Sequence, residues 1–356
     1  MIPHSRPTSL EDSVDAVAAV LRSGQHAGGA VRRTFEAELA AYCQQPHAIA
    51  VQSGSAALHL ALLTLGVPRG APVLTPSYAC AALLNAIDAV GGVPLLADID
   101  RECLSITSAT AEAACAREGI EPEGVAAAII PHMLGLPAPI DQWELPIPIV
   151  EDAAMALGVE VNGSPVGEYG EIAVVSFYAT KMMSTGQGGA VVMTGDGFAE
   201  DARDRIQYDG RDEWRPSWNY PLPDLACAIG RPQLAALPGW IDTRRTIAGR
   251  YQEIAEQIGV ARPPAPTGAC HYRFLIELDD EEDRYRAAEQ LAEAGIDAKP
   301  PVFRPLHRYL DRDDADFPVT TEIWQRGLSL PLYPSLSDEE IATVERGLTA
   351  LGERVR

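Results

Sequence analysis

Residues 147–158 read IPIVEDAAMALG, and residues 171–194 read EIAVVSFYATKMMSTGQGGAVVMT. Both open on a short apolar run of strand length. The first run ends at an acid, Asp152. The second is followed by Lys181, a Gly-rich turn and a further apolar run. The chain has only two lysines, Lys181 and Lys299, against 26 arginines. Surface solubility does not call for a lysine between two apolar runs. An amine can do what a guanidinium cannot: lose its proton when desolvated, attack a carbonyl and form a Schiff base.

The pattern repeats outward from these stretches. Apolar runs at 47–51, 72–75, 93–97, 125–130, 147–150, 172–177 and 190–193 predict seven strands, with helices at 56–65 and 79–90 among them. Short continuous apolar runs separated by helices mark a mostly parallel sheet covered on both faces, an α/β fold. Ligands of such sheets sit beyond the carboxyl ends of the strands. Ser53-Gly54-Ser55, Asp152 and the 176–181 segment all fall there. Upstream, an extended arm at 1–12 leads to helical spacing at 13–22 and 31–42. Downstream, 207–223 reads as an irregular aromatic excursion, 225–257 as helix broken at Pro238-Gly239, and the proline-rich 262–268 as a linker. A strand at 271–278, helices at 284–294 and 337–351 and an apolar piece at 328–332 predict a smaller C-terminal α+β unit. The expected division is 1–240 for a large domain and 241–356 for a small one.

The 356 residues carry a formal net charge of −22, which argues against a nucleic-acid or anionic-membrane partner. No run approaches the ~18 uncharged apolar residues of a membrane span. Glu11, Asp12 and Asp15 stand where a secretion signal would have its apolar core, so a cytoplasmic location is expected. The six cysteines include no C-x-x-C pair and lie mostly in Ala-rich apolar surroundings, as buried reduced thiols do. The seven histidines show no ligand spacing, so no metal is expected.

A pyridoxal phosphate site needs a lysine for the aldehyde and a carboxylate at the pyridine nitrogen. It also needs phosphate donors at a helix start and a ring that stacks on the cofactor. Lys181, Asp152, Gly54 with Ser55, and Tyr78 can supply these in turn. Each also has a plain structural alternative: SGSAA as an N-cap, Asp152 as a helix cap, Tyr78 as core, Lys181 as a solvated side chain. Their chain order on one sheet edge favours the site.

The chain closely resembles the DegT/DnrJ/EryC1/StrS family of sugar aminotransferases, pyridoxal-phosphate enzymes of fold type I. The resemblance rests on SGSAALHLALLTLGV (53–67), VLTPSYACAALLNAI (73–87), GGVPLLADID (91–100), VEDAAMALG (150–158), SFYATKMMSTGQGGAVV (176–192), WNYPLPDLACAIGRPQL (218–234) and LPLYPSLSDEEI (330–341). It implies a seven-stranded sheet and a homodimer with shared active sites. It makes Lys181 the Schiff-base lysine and proton shuttle, with Asp152 at the pyridinium nitrogen. Gly54, Ser55 and Ser176 would bind the phosphate, Tyr78 would stack on the ring, and Ala154 and Met155 would lie at its other side. Asn219 would reach the phosphate of the neighbouring subunit. Tyr178, Gln187 and His307 are the substrate-side candidates, His307 with a surface or hinge role as its alternative.

Three positions depart from the family pattern. Met155 stands where glutamine or histidine is common, Pro221 where arginine follows the Asn-Tyr pair, and Gln187 where glutamate precedes the Gly-Gly pair. The expected reaction moves an amino group from glutamate or glutamine to a keto-sugar, nucleotide-linked, or a keto-cyclitol, in secondary-metabolite or surface-glycan biosynthesis. Non-transaminating chemistry on the same fold (dehydration or a carbon–carbon bond step) and a non-catalytic regulatory role stay open as alternatives.

Overall fold

The computed structural model describes residues 1–261 and 266–352. Helices α1 (Glu11–Ser23) and α2 (Ala30–Tyr42) precede β1 (His47–Val51), α3 (Gly54–Thr64), β2 (Pro72–Pro76), α4 (Ala82–Val90), β3 (Val93–Ala97) and α5 (Ser108–Glu118). Next come β4 (Ala127–Pro131), β5 (Ile149–Asp152) and a two-residue pair, β6 (Glu160–Val161) with β7 (Ser164–Pro165). These lead to β8 (Ile172–Ser176), β9 (Gly189–Met193), α6 (Asp196–Ile206) and α7 (Asp224–Ile258). The chain closes with β10 (Phe274–Glu277), α8 (Glu281–Glu293), α9 (Leu306–Tyr309), α10 (Pro318–Arg326), β11 (Gly327–Leu330) and α11 (Asp338–Gly352).

The main sheet runs β1-β9-β8-β5-β4-β2-β3. Only β9 opposes its neighbours; the other six strands point one way. Val51 pairs with Gly189, Ser176 with Gly189 and Pro131 with Asp152, so these strand ends lie in a row. Alternation divides each strand between two cores. Ile49, Val51, Val73, Ile129, Val174 and Val191 pack under α3, α4 and α6. Ala48, Ala50, Ala173, Val175 and Val192 pack under α2 and the start of α7. Burial on both faces explains why the strands read as unbroken apolar runs.

The expected helix break at Pro238-Gly239 does not occur. Helix α7 runs unbroken for 35 residues through Pro232 and Pro238. An interior proline costs about 3 kcal/mol. Burial outweighs it, since Leu234, Leu237 and Ile241 sit in one core while Ile247, Tyr251 and Ala255 sit in another. The expected domain boundary after residue 240 falls inside this helix. Residues 262–265 of the expected linker lie outside the described residues. Helices α5 and α6 lie where the sequence reading placed none. Helix α5 does carry a start signal, a reciprocal pair between Thr107 and Thr110.

The arm straps the C-terminal unit. Ile2 exchanges backbone hydrogen bonds with Gly295 and Asp297, the Tyr333 hydroxyl donates to Pro3 O, and Arg6 pairs with Glu340 at 2.7 Å. His4 Nε2 lies 2.7 Å from Ser329 Oγ. Burial, with the Arg273 guanidinium nearby, pushes His4 down to about 3, while Asp297 pulls it up and Lys299 down. The unfolded chain, with an ordinary histidine at about 6.5, therefore binds the extra proton between these values. His4 contributes stability above pH 6.5 that is lost as the pH falls towards 3. The melting temperature of the wild type relative to His4→Gln should drop between pH 7 and pH 5. A difference that ignores pH contradicts this reading.

Candidate active site

Lys181 sits on a loop between β8 and β9. Phe177 N donates to Gly188 O at 2.8 Å and Thr185 N to Phe177 O at 3.0 Å, which closes the loop on itself. Met182 and Met183 are buried beneath it. Gln233 of α7 clamps its far side: its Oε1 accepts from Ser184 N at 2.9 Å, and its Nε2 donates to Ser184 O at 2.7 Å. The Lys181 amine lies over the Tyr272 ring, 5.5 Å from its centroid. Among the described residues no carboxylate pairs with it.

Asp152 ends β5 and is buried. Its Oδ1 accepts one backbone hydrogen bond, from Ala154 N at 2.9 Å. Burial pushes its carboxyl above the usual range; the Ala154 N–H, Lys181 and His132 pull it down without cancelling that. The preceding residue, Glu151, is also buried, and accepts from His132 Nε2 at 3.0 Å and Gly167 N at 2.9 Å. His132 Nδ1 accepts from Ala138 N at 2.9 Å, so Nε2 carries the proton that Glu151 receives.

Opposite this pair, α3 begins. Ser53 caps it, its Oγ accepting from Ala56 N at 3.1 Å. The Gly54 and Ser55 amides lie in the first turn, where a helix leaves its N–H groups unpaired and favours anions. A Cβ on Gly54 would stand 2.9 Å from Ser176 Cβ and 3.0 Å from its Oγ. One on Gly189 would stand 2.6 Å from Ser53 O. Glycine at both places lets β8 and β9 close on the helix start.

Cys80, His132, Asp152, Ala154, Met155 and Lys181 wall a single cleft. The expected Asp152, Lys181, Ala154 and Met155 thus converge, and Gly54 abuts Ser176. Two of the expected residues lie off this wall. Tyr78 is fully buried, packed with Ile99, Leu104 and Met133 rather than lining the cleft, and its hydroxyl has no partner among the described residues. Cys80, two residues on, takes the wall position. His307 is neither on the surface nor open to a substrate. Its Nδ1 lies 2.6 Å from Ser77 Oγ, its Nε2 lies 2.9 Å from Asp314 Oδ1, and its ring stacks on Phe317 at 4.6 Å. It pins the 306–317 segment to the end of β2, a positioning role. Tyr178 and Gln187 are exposed and off the cleft wall. Asn219 is exposed too, its carbonyl accepting from Gln52 Nε2 at 2.7 Å. Sequence reasoning missed Cys80, His132, Gln233 and Tyr272. A histidine just past a strand end was the available signal for His132.

A cavity of about 900 Å³ lies elsewhere, between α1, α2 and α7. Its walls are mainly apolar (Ala16, Val20, Val31, Leu234), it holds no lysine, and Arg231 there is already paired with Glu38. Amine chemistry therefore belongs to the narrower cleft.

The profile of the DegT/DnrJ/EryC1/StrS aminotransferase family matches residues 7–349. The chain belongs to this family. It is 33% identical over 362 residues to the erythromycin biosynthesis sensory transduction protein EryC1 of Saccharopolyspora erythraea, covering 95% of this chain and 96% of that protein. The fold is similar to that of the aminotransferase TlmJ from Streptoalloteichus hindustanus (TM-score 0.88, 28% identity, 100% of both chains). It is also similar to DesV of S. venezuelae (TM-score 0.88, 29% identity, 97% of this chain and 95% of that one). The family comprises pyridoxal-phosphate-dependent aminotransferases, and this chain is one.

The residues fit that cofactor. The cleft offers a buried carboxylate with one backbone donor and an amine that pairs with no carboxylate among the described residues, and the start of α3, where Gly54 abuts Ser176, lies at the same row of strand ends.

Two variants test the placement. Gln233→Leu leaves the Ser184 N–H and carbonyl unpaired and should cost about 2 kcal/mol in urea unfolding; a loss below about 0.5 kcal/mol contradicts the clamp. Tyr78→Phe removes only an unpartnered hydroxyl. It should leave stability equal or higher and cofactor uptake unchanged, and weaker uptake would restore Tyr78 to the site.

Proposed function

We propose that this aminotransferase takes its amino group from L-glutamate or L-glutamine. It delivers the group to the keto carbon of a sugar, nucleotide-linked, or of a cyclitol, in secondary-metabolite or surface-glycan biosynthesis. The observation that carries this reading is the meeting of Lys181 and Asp152 in one cleft, at the strand ends beside the start of α3. EryC1, named for erythromycin biosynthesis, supports the pathway class.

Pyridoxal phosphate, when bound, supplies an aldehyde that takes up the amino group and a ring that withdraws electrons from the carbon bearing it. The chain's own residues do the rest. Lys181 is the amine that would hold the aldehyde and then carry the proton from the donor Cα. Asp152, kept dry by burial, is the carboxyl that would pair with the ring nitrogen and favour its protonated form. The Gly54 and Ser55 amides and the Ser176 hydroxyl would hold the phosphate. Cys80, Ala154 and Met155 would bound the ring, Cys80 in the place expected of Tyr78. The donor gives up its nitrogen and its Cα hydrogen with the bonding electron pair, takes oxygen from one water and leaves as a 2-oxo acid; the nitrogen, the electron pair and protons pass to the acceptor carbonyl carbon, whose oxygen leaves as water. His132, protonated on Nε2 and tied to Glu151, fixes the end of β4 beside Asp152.

The exposed Asn219 supports a homodimer in which this residue reaches the partner's phosphate site. A large domain at 1–240 and a small one at 241–356, with α7 spanning both, and a cytoplasmic location complete the proposal.

The test is a half-reaction. Purified protein loaded with pyridoxal phosphate and given L-glutamate, then L-glutamine, should convert its cofactor to the amine form. It should release one equivalent of 2-oxo acid with at least one of them. Lys181→Ala should lose this rate by roughly 10³-fold or more while staying folded. Bound cofactor that responds to neither amino acid would contradict the assigned donors, and an unimpaired Lys181→Ala would contradict the mechanism.

A further inference from the structure

The wall of the Lys181 cleft has one aromatic ring, the imidazole of His132. The wall follows four neighbouring strands of the sheet. Lys181 comes after β8, Asp152 and Met155 at and after the end of β5, His132 after β4, and Cys80 after β2. The other rings of this region are committed elsewhere. Tyr78 packs with Ile99, Leu104 and Met133. Tyr272 carries two cations on its ring, Lys181 at 5.5 Å and Arg273 at 4.1 Å from the centroid. Phe177 meets Phe35 edge-on, 5.4 Å between centroids. His132 itself is bonded at both nitrogens, to Glu151 and to the Ala138 N–H, which fixes its plane.

Two sulfur side chains stand where a larger ring is missing. Burial raises the Cys80 thiol above its ordinary value, the Lys181 amine opposing and Asp152 adding, so the sulfur is neutral at pH 7. Met155 is half-buried and packs both against the core under α2 and α7 and against the cluster around Tyr78, so its thioether has a fixed seat. A thiol and a thioether cover far less of a flat ring than a phenyl group does. Asp152 is the independent sign that a ligand belongs here. It is buried, and only its Oδ1 accepts a hydrogen bond among the described residues, which leaves Oδ2 for a donor that those residues do not supply.

We propose that this chain holds its cofactor ring against Cys80 and Met155 instead of an aromatic side chain, so that the covalent bond to Lys181 carries the cofactor's retention and the amine form, which lacks that bond, exchanges with solution. This rests on the reading of the chain as a transaminase with Lys181 as the lysine that holds the aldehyde. The bond forms when the neutral amine nitrogen replaces the aldehyde oxygen, which leaves with the two amine hydrogens as water. The aldehyde form is held by that bond as well as by Asp152 and the phosphate donors; the amine form keeps only the latter two. Cys80 thereby sets how long the amine form waits for its acceptor.

The experiment needs no turnover. Apoenzyme of the wild type, Cys80→Phe, Cys80→Ala and Lys181→Ala is titrated by calorimetry with pyridoxal phosphate and with pyridoxamine phosphate. The wild type should bind the amine form roughly tenfold or more weakly than the aldehyde form and lose it on dialysis. Lys181→Ala should bind the aldehyde form no more tightly than the wild type binds the amine form. Cys80→Phe, which adds a ring, should tighten the amine form roughly tenfold. Cys80→Ala, which removes the sulfur, should weaken it about threefold, and this variant carries the test if the phenylalanine variant fails to fold. An amine form bound within about twofold of the aldehyde form overturns the proposal. So does an amine-form affinity that both Cys80 variants leave within about twofold of wild type, which would give the stacking to His132. Binding as expected in a protein whose cofactor responds to no amino acid would overturn the transaminase reading and leave the sulfur contacts standing; no binding of either form would overturn both.

Discussion

Everything at the sheet edge depends on a carboxylate kept out of water. Asp152 ends the central strand β5 with one backbone donor for company, and burial alone would favour its neutral form. The Ala154 N–H, the Lys181 amine and the His132 ring oppose that. The balance leaves the carboxyl above its usual range, and a protonated ring nitrogen would draw it towards its charged form. A water-exposed aspartate would bind such a nitrogen weakly, because each charge would be solvated already. The dry strand end is what makes one carboxylate sufficient.

The loop carrying Lys181 shows how a mobile amine is served by a rigid frame. A lysine that must first hold a group and then carry a proton needs a fixed base for a moving tip. Buried Met182 and Met183, the bond between Thr185 and Phe177 and the paired bonds from Gln233 supply that base, and the side chain above them makes no ion pair among the described residues. His307 does the corresponding work on the other side of the cleft. It joins Ser77, just past the end of β2, to Asp314, and so holds the 306–317 segment against the chain three residues before Cys80.

Much of this was legible in the residues. The strands were readable because both sheet faces are covered, which leaves each strand as an unbroken apolar run. Asp152 and Lys181 were readable because a charge just past such a run lands on the ligand edge. Tyr78 was not. Backbone after a strand end follows no period, and whether an aromatic there turns to the cleft or the core depends on Ile99 and Met133, which come from other strands' ends. His307 hid for a related reason: one of its two partners is 230 residues away. Helix α7 overrode its own prolines by burying both halves. Tyr272 looked like the start of a strand, and only the turn at Leu134 and Gly135 brings its ring to the lysine.

The most direct measurement exploits the two lysines. Holoenzyme is treated with borohydride, which fixes the cofactor to whichever amine holds it, and the digested peptides are weighed. The added mass should fall on the peptide containing Lys181. Mass on Lys299, which the structure pairs with Asp297 at 2.7 Å, or on neither lysine, would contradict the account.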